Sequence, residues 1–239
     1  MSDAVVAFPR GIRSFVRREG RMTDAQRQAL VELWPRYGLE LPPGRFDFDT
    51  AFGRRAPRIL EIGFGNGDAL IAAASAQPEC DFVGIEVHRP GVGRLFARLA
   101  QANVDNVRVV VADASEVLTR HTPPAALTEV LIFFPDPWPK KRHHKRRLIQ
   151  PAFVATLARA VQIGGHLRLA TDWADYAEHM LAVLGADPRW CNTSAGVAPR
   201  PVNRPLTRFE ARGERLGHQV FDFAFVRVPT ADDKSAPPA

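Results

Sequence analysis

From Arg58 onward this chain of 239 residues alternates short β-branched runs with longer segments of helical spacing, and few folds satisfy that rhythm. The strand-like runs are residues 58–62, 81–86, 107–111, 129–134 and 166–170. Helical spacing fills the gaps at 68–76, 91–102, 151–161 (Phe153, Leu157 and Val161 on one face) and 173–184. Strands joined through helices lie parallel in one sheet with helices on both faces, so an α/β domain is expected over 58–228. Near its end, 219–228 crowds Val220, Phe221, Phe223, Phe225 and Val226 together, which predicts a further buried strand. Residues 1–57 mix Arg, Pro and Gly around one helical piece, 23–34, that Thr23 or Asp24 can cap. They read as a basic extension packed on the main domain. Residues 229–239 are mostly Pro, Ala and charged residues, and are expected to be disordered.

The apolar fraction of 46% suits an ordinary core, and the length suits one sizeable α/β domain with appendages. Cys80 and Cys191 are the only cysteines, far apart and outside any CxxC pattern, so neither a disulfide framework nor a metal site is expected. No apolar run approaches the roughly 20 residues of a membrane span, and the Arg-rich start lacks a following apolar stretch. A protein of the cytoplasm with no membrane partner is expected. The net charge of +6 is modest but unevenly placed, with Arg10, Arg13, Arg17, Arg18 and Arg21 near the start. Arg10, Arg13 and Arg17 would share one side of a helix.

The first strand runs into Leu60-Glu61-Ile62-Gly63-Phe64-Gly65-Asn66-Gly67-Asp68, where alternating glycines let the backbone pass close to a ligand. Tight βα turns also need glycine for backbone reasons alone. A dinucleotide fingerprint places its third glycine one residue later, and Asp68 would oppose a phosphate at the helix start. The pattern instead suits a ligand without phosphate, such as the cationic S-adenosylmethionine. Glu86 ends the second strand, where an acid meets ribose hydroxyls in such folds. Asp113 follows the third, where a carboxylate can accept from an adenine amine, and Asp136 follows the fourth. Each acid alone could merely cap the next helix. Four in a row at one rim of a parallel sheet, Glu61, Glu86, Asp113 and Asp136, favour a nucleoside cofactor.

After the fourth strand, Phe133-Phe134-Pro135-Asp136-Pro137-Trp138-Pro139-Lys140 leads straight into Lys141-Arg142-His143-His144-Lys145-Arg146-Arg147. One carboxylate sits in a proline-stiffened turn, and six of the eight residues from 140 to 147 are Lys or Arg. Charge runs are usually solvated faces, but this one follows a strand end, where open α/β sheets bind ligands. A polyphosphate backbone held beside one reacting atom fits it, and hence an enzyme acting on nucleic acid. Trp138 is either a base-stacking platform or a pocket wall. His143 and His144 suit phosphate or 2′-OH contact, while His166 and His218 read as structural.

These residues make the chain resemble the bacterial tRNA (guanine-N7)-methyltransferases of the TrmB family, within the class I S-adenosylmethionine-dependent enzymes. The likeness spans residues 10–228. It rests on Arg13-Ser14-Phe15-Val16-Arg17-Arg18, Glu61-Ile62-Gly63-Phe64-Gly65, Gly84-Ile85-Glu86-Val87-His88 and Phe133-Phe134-Pro135-Asp136-Pro137-Trp138, together with Thr207-Arg208-Phe209-Glu210, Arg212-Gly213 and Arg215-Leu216-Gly217-His218. Pro139 stands where many members carry His, and Arg208 where Lys is frequent. The resemblance implies a Rossmann-like sheet, mostly parallel, with an antiparallel C-terminal strand. It implies that Glu61, Gly63, Gly65, Gly67, Glu86, Asp113 and Asp136 hold S-adenosyl-L-methionine, with Asp136 also facing the reaction and no metal required. Lys140, Asp172, Thr207, Arg208, Phe209 and Glu210 would contact the target nucleotide. Arg142, His143, His144, Lys145, Arg146 and Arg147 would contact tRNA, whose guanine at position 46 in the variable loop is the family's substrate. No obligate protein partner is implied. The residues leave two rivals: an NAD-type oxidoreductase, and a non-catalytic RNA-binding module on the same fold.

Overall fold

In the computed structural model, which describes residues 14–15, 22–201, 210, 217 and 219–231, the alternation becomes a seven-stranded sheet between two helical layers. The strands are β1 Arg58–Ile62, β2 Asp81–Ile85, β3 Val107–Val110, β4 Leu127–Phe133, β5 Val161–Thr171, β6 Trp190–Asn192 and β7 Phe221–Arg227. Their spatial order is β3-β2-β1-β4-β5-β7-β6. The first five neighbours run parallel, while β7 lies antiparallel to β5 and β6 antiparallel to β7. The expected strands appear with small shifts at their ends, except that β5 begins five residues earlier than read, directly after its preceding helix. Three-residue β6 was not anticipated. So short a strand carries too little pattern to read, and its pairing with β7 is what makes it one.

The helices are α1 Asp24–Glu32, α2 Trp34–Tyr37, α3 Phe48–Phe52, α4 Asp68–Ala76, α5 Arg89–Ala102, α6 Ala114–Glu116, α7 Pro151–Ala160 and α8 Ala174–Gly185. Thr23 caps α1 through a reciprocal box with Gln26, a pattern that satisfies two otherwise unpaired amides. Side-chain alternation along the strands feeds two cores. Leu60, Ile62, Val130 and Ile132 point into one, with Phe153 and Leu157 of α7 and Tyr176 and Met180 of α8. Ile59, Phe82 and Leu131 point into the other, with Leu70 of α4 and Leu95 and Leu99 of α5.

The segment before Arg58 contributes to both layers. Phe46 and Phe48 join the first core. On the other face α1 lies so close to α5 that a Cβ on Gly93 would stand 2.3 Å from the Gln26 carbonyl oxygen. The β3 edge is covered by Gly38, which bridges Val109 in parallel. No helix among the described residues is long and apolar enough to cross a membrane. Arg10, Arg13, Arg17, Arg18 and Arg21 fall outside the described residues, as does the tail from 232.

Candidate active site

Parallel pairing brings the carboxyl ends of β3, β2, β1, β4 and β5 to one rim, and an acid stands at or just past each of them. Glu61 is the penultimate residue of β1, Glu86 directly follows β2, Asp113 and Asp136 stand three residues beyond β3 and β4, and Asp172 directly follows β5. The register levels these ends, with Ile62 opposite both Ile85 and Ile132, and Phe133 opposite Ala170.

The glycine turn between β1 and α4 requires its glycines. Gly63, Gly65 and Gly67 have φ of 75°, 58° and 75°, in the left-handed region that a Cβ disfavours. Among the described residues a Cβ on Gly63 or Gly65 would meet nothing within 4 Å, so on their side the turn is open. Behind it α5 approaches closely: a Cβ on Gly91 would lie 2.1 Å from the Gly65 carbonyl oxygen. Glu86 braces the turn, accepting from the Gly65 amide at 2.8 Å and from the Val87 and His88 amides at 2.7 and 2.9 Å. Asp113 accepts from the Ser115 amide at 2.9 Å and so caps α6.

Glu61 is different. Its residue is 3% exposed, and its Oε2 has no hydrogen-bond partner among the described residues. Loss of hydration, with smaller contributions from Glu86 and Asp68, pushes its carboxyl up to about 8. A buried, unsatisfied acid beside an open glycine turn is poised for a cationic group. Asp68 does not act as the free carboxylate that the spacing suggested, because Arg98 pairs with it at 2.5 Å. Its opposition to a phosphate is correspondingly smaller.

Past β4 the backbone is strained. Phe134 and Trp138 take φ of 52° and 47°, a conformation that costs non-glycine residues on the order of 1–3 kcal/mol each and persists only where its surroundings impose it. The Phe134 amide is anchored to the Ala170 carbonyl at 2.8 Å. The Trp138 indole donates to the Ser14 carbonyl at 3.0 Å, Arg146 lies 5.0 Å over its ring, and His143 meets it edge-on at 5.9 Å. With one face under Arg146, Trp138 serves as a wall on that side. Between these strained residues Asp136 is exposed.

The cationic run folds as a 3-10 turn over Lys141–Arg146. Lys140, Lys141, Arg142 and Lys145 are exposed, and His143, His144 and Arg146 partly so. Partial desolvation and the cations Arg142, Arg146, Lys140 and Lys145 hold His143 below the ordinary imidazole range. Arg147 does not share this exposure. Its side chain is 1% exposed and paired with Asp175, so of the residues expected to contact RNA it alone is enclosed, with its guanidinium turned to protein partners. Glu210 is also buried and accepts from Arg200 at 2.8 Å, while Thr207, Arg208 and Phe209 lie outside the described residues. A groove of about 450 Å³ lined by Phe52, Arg54, Pro78, Asp81 and Asn106 lies at the opposite rim, where the strands begin, and none of the acids above reach it.

A family model described as putative methyltransferase matches residues 55–223. The chain is 59% identical over 222 residues to the tRNA (guanine-N(7)-)-methyltransferase of Alkalilimnicola ehrlichii, covering 90% of this chain and 92% of that one. The chain belongs to the tRNA (guanine-N(7)-)-methyltransferase family. Its identity to the Halorhodospira halophila member is 56% over 227 residues, covering 93% and 98% of the two chains. Among solved structures, the 16S rRNA methyltransferase KamB superposes with a TM-score of 0.59 at 17% identity, covering 77% of this chain and 95% of that one. The 16S rRNA (adenine(1408)-N(1))-methyltransferase of Catenulisporales acidiphilia, crystallised with its cosubstrate SAM, gives 0.52 at 16%, covering 78% and 92%. At such identities these two establish the class I methyltransferase fold alone.

Two features of this family member were invisible in its sequence. The strain at Phe134 and Trp138 left no mark beyond the flanking prolines. The pairing of Arg147 with Asp175 spans 28 residues, and only β5 and α8 bring the two together.

Proposed function

We propose that this chain transfers the methyl group of S-adenosyl-L-methionine to N7 of a guanine in tRNA, at position 46, giving 7-methylguanosine. The observation that carries the reading is the acidic rim on β3, β2, β1 and β4 ending beside an exposed cationic turn, so that a cationic donor and a polyanionic acceptor can meet at one edge. The open turn at Gly63 and Gly65 admits the donor, Glu61 faces its cationic amino group, Glu86 the ribose and Asp113 the adenine. S-adenosylmethionine supplies an electrophilic methyl on sulfur.

Guanine N7 presents an in-plane lone pair and needs no prior loss of a proton. Catalysis is then alignment and electrostatics. Asp136 faces the base and stabilises the positive charge that the ring acquires, and Asp136 and Asp172 accept from its N1 and N2 donors. Lys140 and the segment 207–210 grip the target nucleotide. Arg142, Lys145 and Arg146 hold phosphates, and the neutral imidazole of His143 suits a 2′-OH. The chain acts in the cytoplasm, where its tRNA is found.

Incubation with methyl-labelled S-adenosylmethionine and unmodified tRNA, followed by nucleoside analysis, tests this. Label in 7-methylguanosine is expected. Tight tRNA binding without labelled product would instead favour a non-catalytic module.

A further inference from the structure

Arg147 closes the cationic run, yet its environment is that of a core residue. A guanidinium keeps its proton, so a buried one must find its partners inside the protein. Arg147 finds them on two elements. Its Nη2 pairs with the Asp175 carboxylate in the first turn of α8, and Nη1 reaches the Asp175 carbonyl at 3.4 Å. Its Nε donates to the Pro137 carbonyl at 3.0 Å. The His144 ring nitrogen lies 3.2 Å from Nη2, and the guanidinium sits 4.9 Å over the Tyr176 ring. Tyr176 is itself pinned, its hydroxyl accepting from the Ile149 amide at 3.2 Å.

From these contacts we infer that Arg147 is a positioning residue for the methyl transfer, holding the turn that carries Asp136 against α8 and making no contact with tRNA. The inference rests on the reading of Asp136 as the carboxylate that faces the base. Pro137 directly follows Asp136, so the Nε bond fixes the peptide on the carboxyl side of that acid. The Phe134 amide, bonded to Ala170, fixes the other side. Asp136 thus sits between two anchors, one on β5 and one on α8. Strained residues such as Phe134 and Trp138 stay in place only when anchors of this kind over-determine them. Guanidinium geometry matters here because one rigid fork reaches Pro137 and Asp175 at once, which a lysine ammonium does not.

The test compares Arg147→Lys and Asp175→Ala with Arg142→Ala and Asp136→Asn, using single-turnover methylation at saturating tRNA and donor, and tRNA affinity across a salt series. Rates are referred to folded protein counted by donor-binding stoichiometry, so a loss of stability alone does not lower them. Arg147→Lys and Asp175→Ala are expected to slow transfer tenfold or more, with tRNA affinity within about twofold and the salt slope unchanged. Arg142→Ala is expected to lower the slope by about 0.7–0.9, the signature of one lost phosphate contact. The Arg147→Lys, Asp175→Ala double variant is expected to be no slower than the slower single, because both break one device. Asp175 is 59% exposed, so its truncation leaves no cavity and decides the matter if Arg147→Lys does not fold. A slope for Arg147→Lys that falls like that of Arg142→Ala, or wild-type rates in both clamp variants, overturns the inference. Wild-type rates in those two with Asp136→Asn impaired sink the clamp alone, whereas a wild-type rate in Asp136→Asn removes the reading beneath it.

Discussion

Replacing Glu61 by Gln isolates the energetic consequence of burying an unpartnered acid. In the folded protein this carboxyl holds its proton up to about pH 8, against 4.5 when unperturbed. The unfolded chain gives up that proton near pH 4.5, so between the two values unfolding releases it, and stability falls as pH rises. The slope is about 1.4 kcal/mol per pH unit, or about 4 kcal/mol from pH 5 to pH 8. The contribution is fully present below pH 4.5 and is lost once pH passes about 8. Gln binds no proton, so the stability of Glu61→Gln relative to the parent should rise by about that amount across this window. Urea denaturation of both proteins at pH 5, 6, 7 and 8 reads it directly. A second arm follows from the proposed donor. A cationic amino group favours the ionised acid, so binding at pH 7 should release about one proton from the parent and none from the variant. Titration calorimetry in buffers of different ionisation enthalpy counts it. Parallel stability curves for the two proteins would refute the assignment of the titration to Glu61.

Asp136→Asn should retain tRNA affinity and lose most single-turnover activity; an unchanged rate would exclude a role for its charge. Joint replacement of Lys141, Arg142 and Lys145 by Ala should lower the log–log salt slope of tRNA binding by about 0.7–0.9 for each phosphate contact removed, and an unaltered slope would place the RNA elsewhere. Gly65→Ala should cost about 1–2 kcal/mol of stability because it forces an L side chain to a φ of 58°, and its Cβ should weaken donor binding by entering the open turn. Donor affinity equal to the parent's, measured on folded protein, would show that the turn faces something else.

Much of the fold was legible because the signals are local. The apolar run of Ile59, Leu60 and Ile62 and the helix start at Thr23 or Asp24 each declare themselves within a few residues, whereas the Gln26 half of the cap came only with the structure. The acids at the strand ends were legible for a related reason: once parallel βαβ connection is granted, every strand must finish at the same rim, so position along the chain translates into position in space. β6 was not legible, since three residues carry no period. Nor was the full length of β5, whose exposed start at Gln162, Ile163 and Gly164 lacks a core-facing pattern.

Sequence alone determined the longer strands and helices, that the first turn uses glycine to let its backbone pass close to a ligand, and that carboxylates and a cationic stretch adjoin one edge. Tertiary structure decided how those groups behave. Arg142 and Arg147 are the same residue type in one run, yet one is solvated and the other enclosed, because α8 delivers Asp175 and Tyr176 to only one of them. Glu61 and Asp68 flank the same glycine turn, yet one is stripped of water while the other meets Arg98. Desolvation and pairing depend on neighbours far off in the chain, and only folding brings those neighbours within reach.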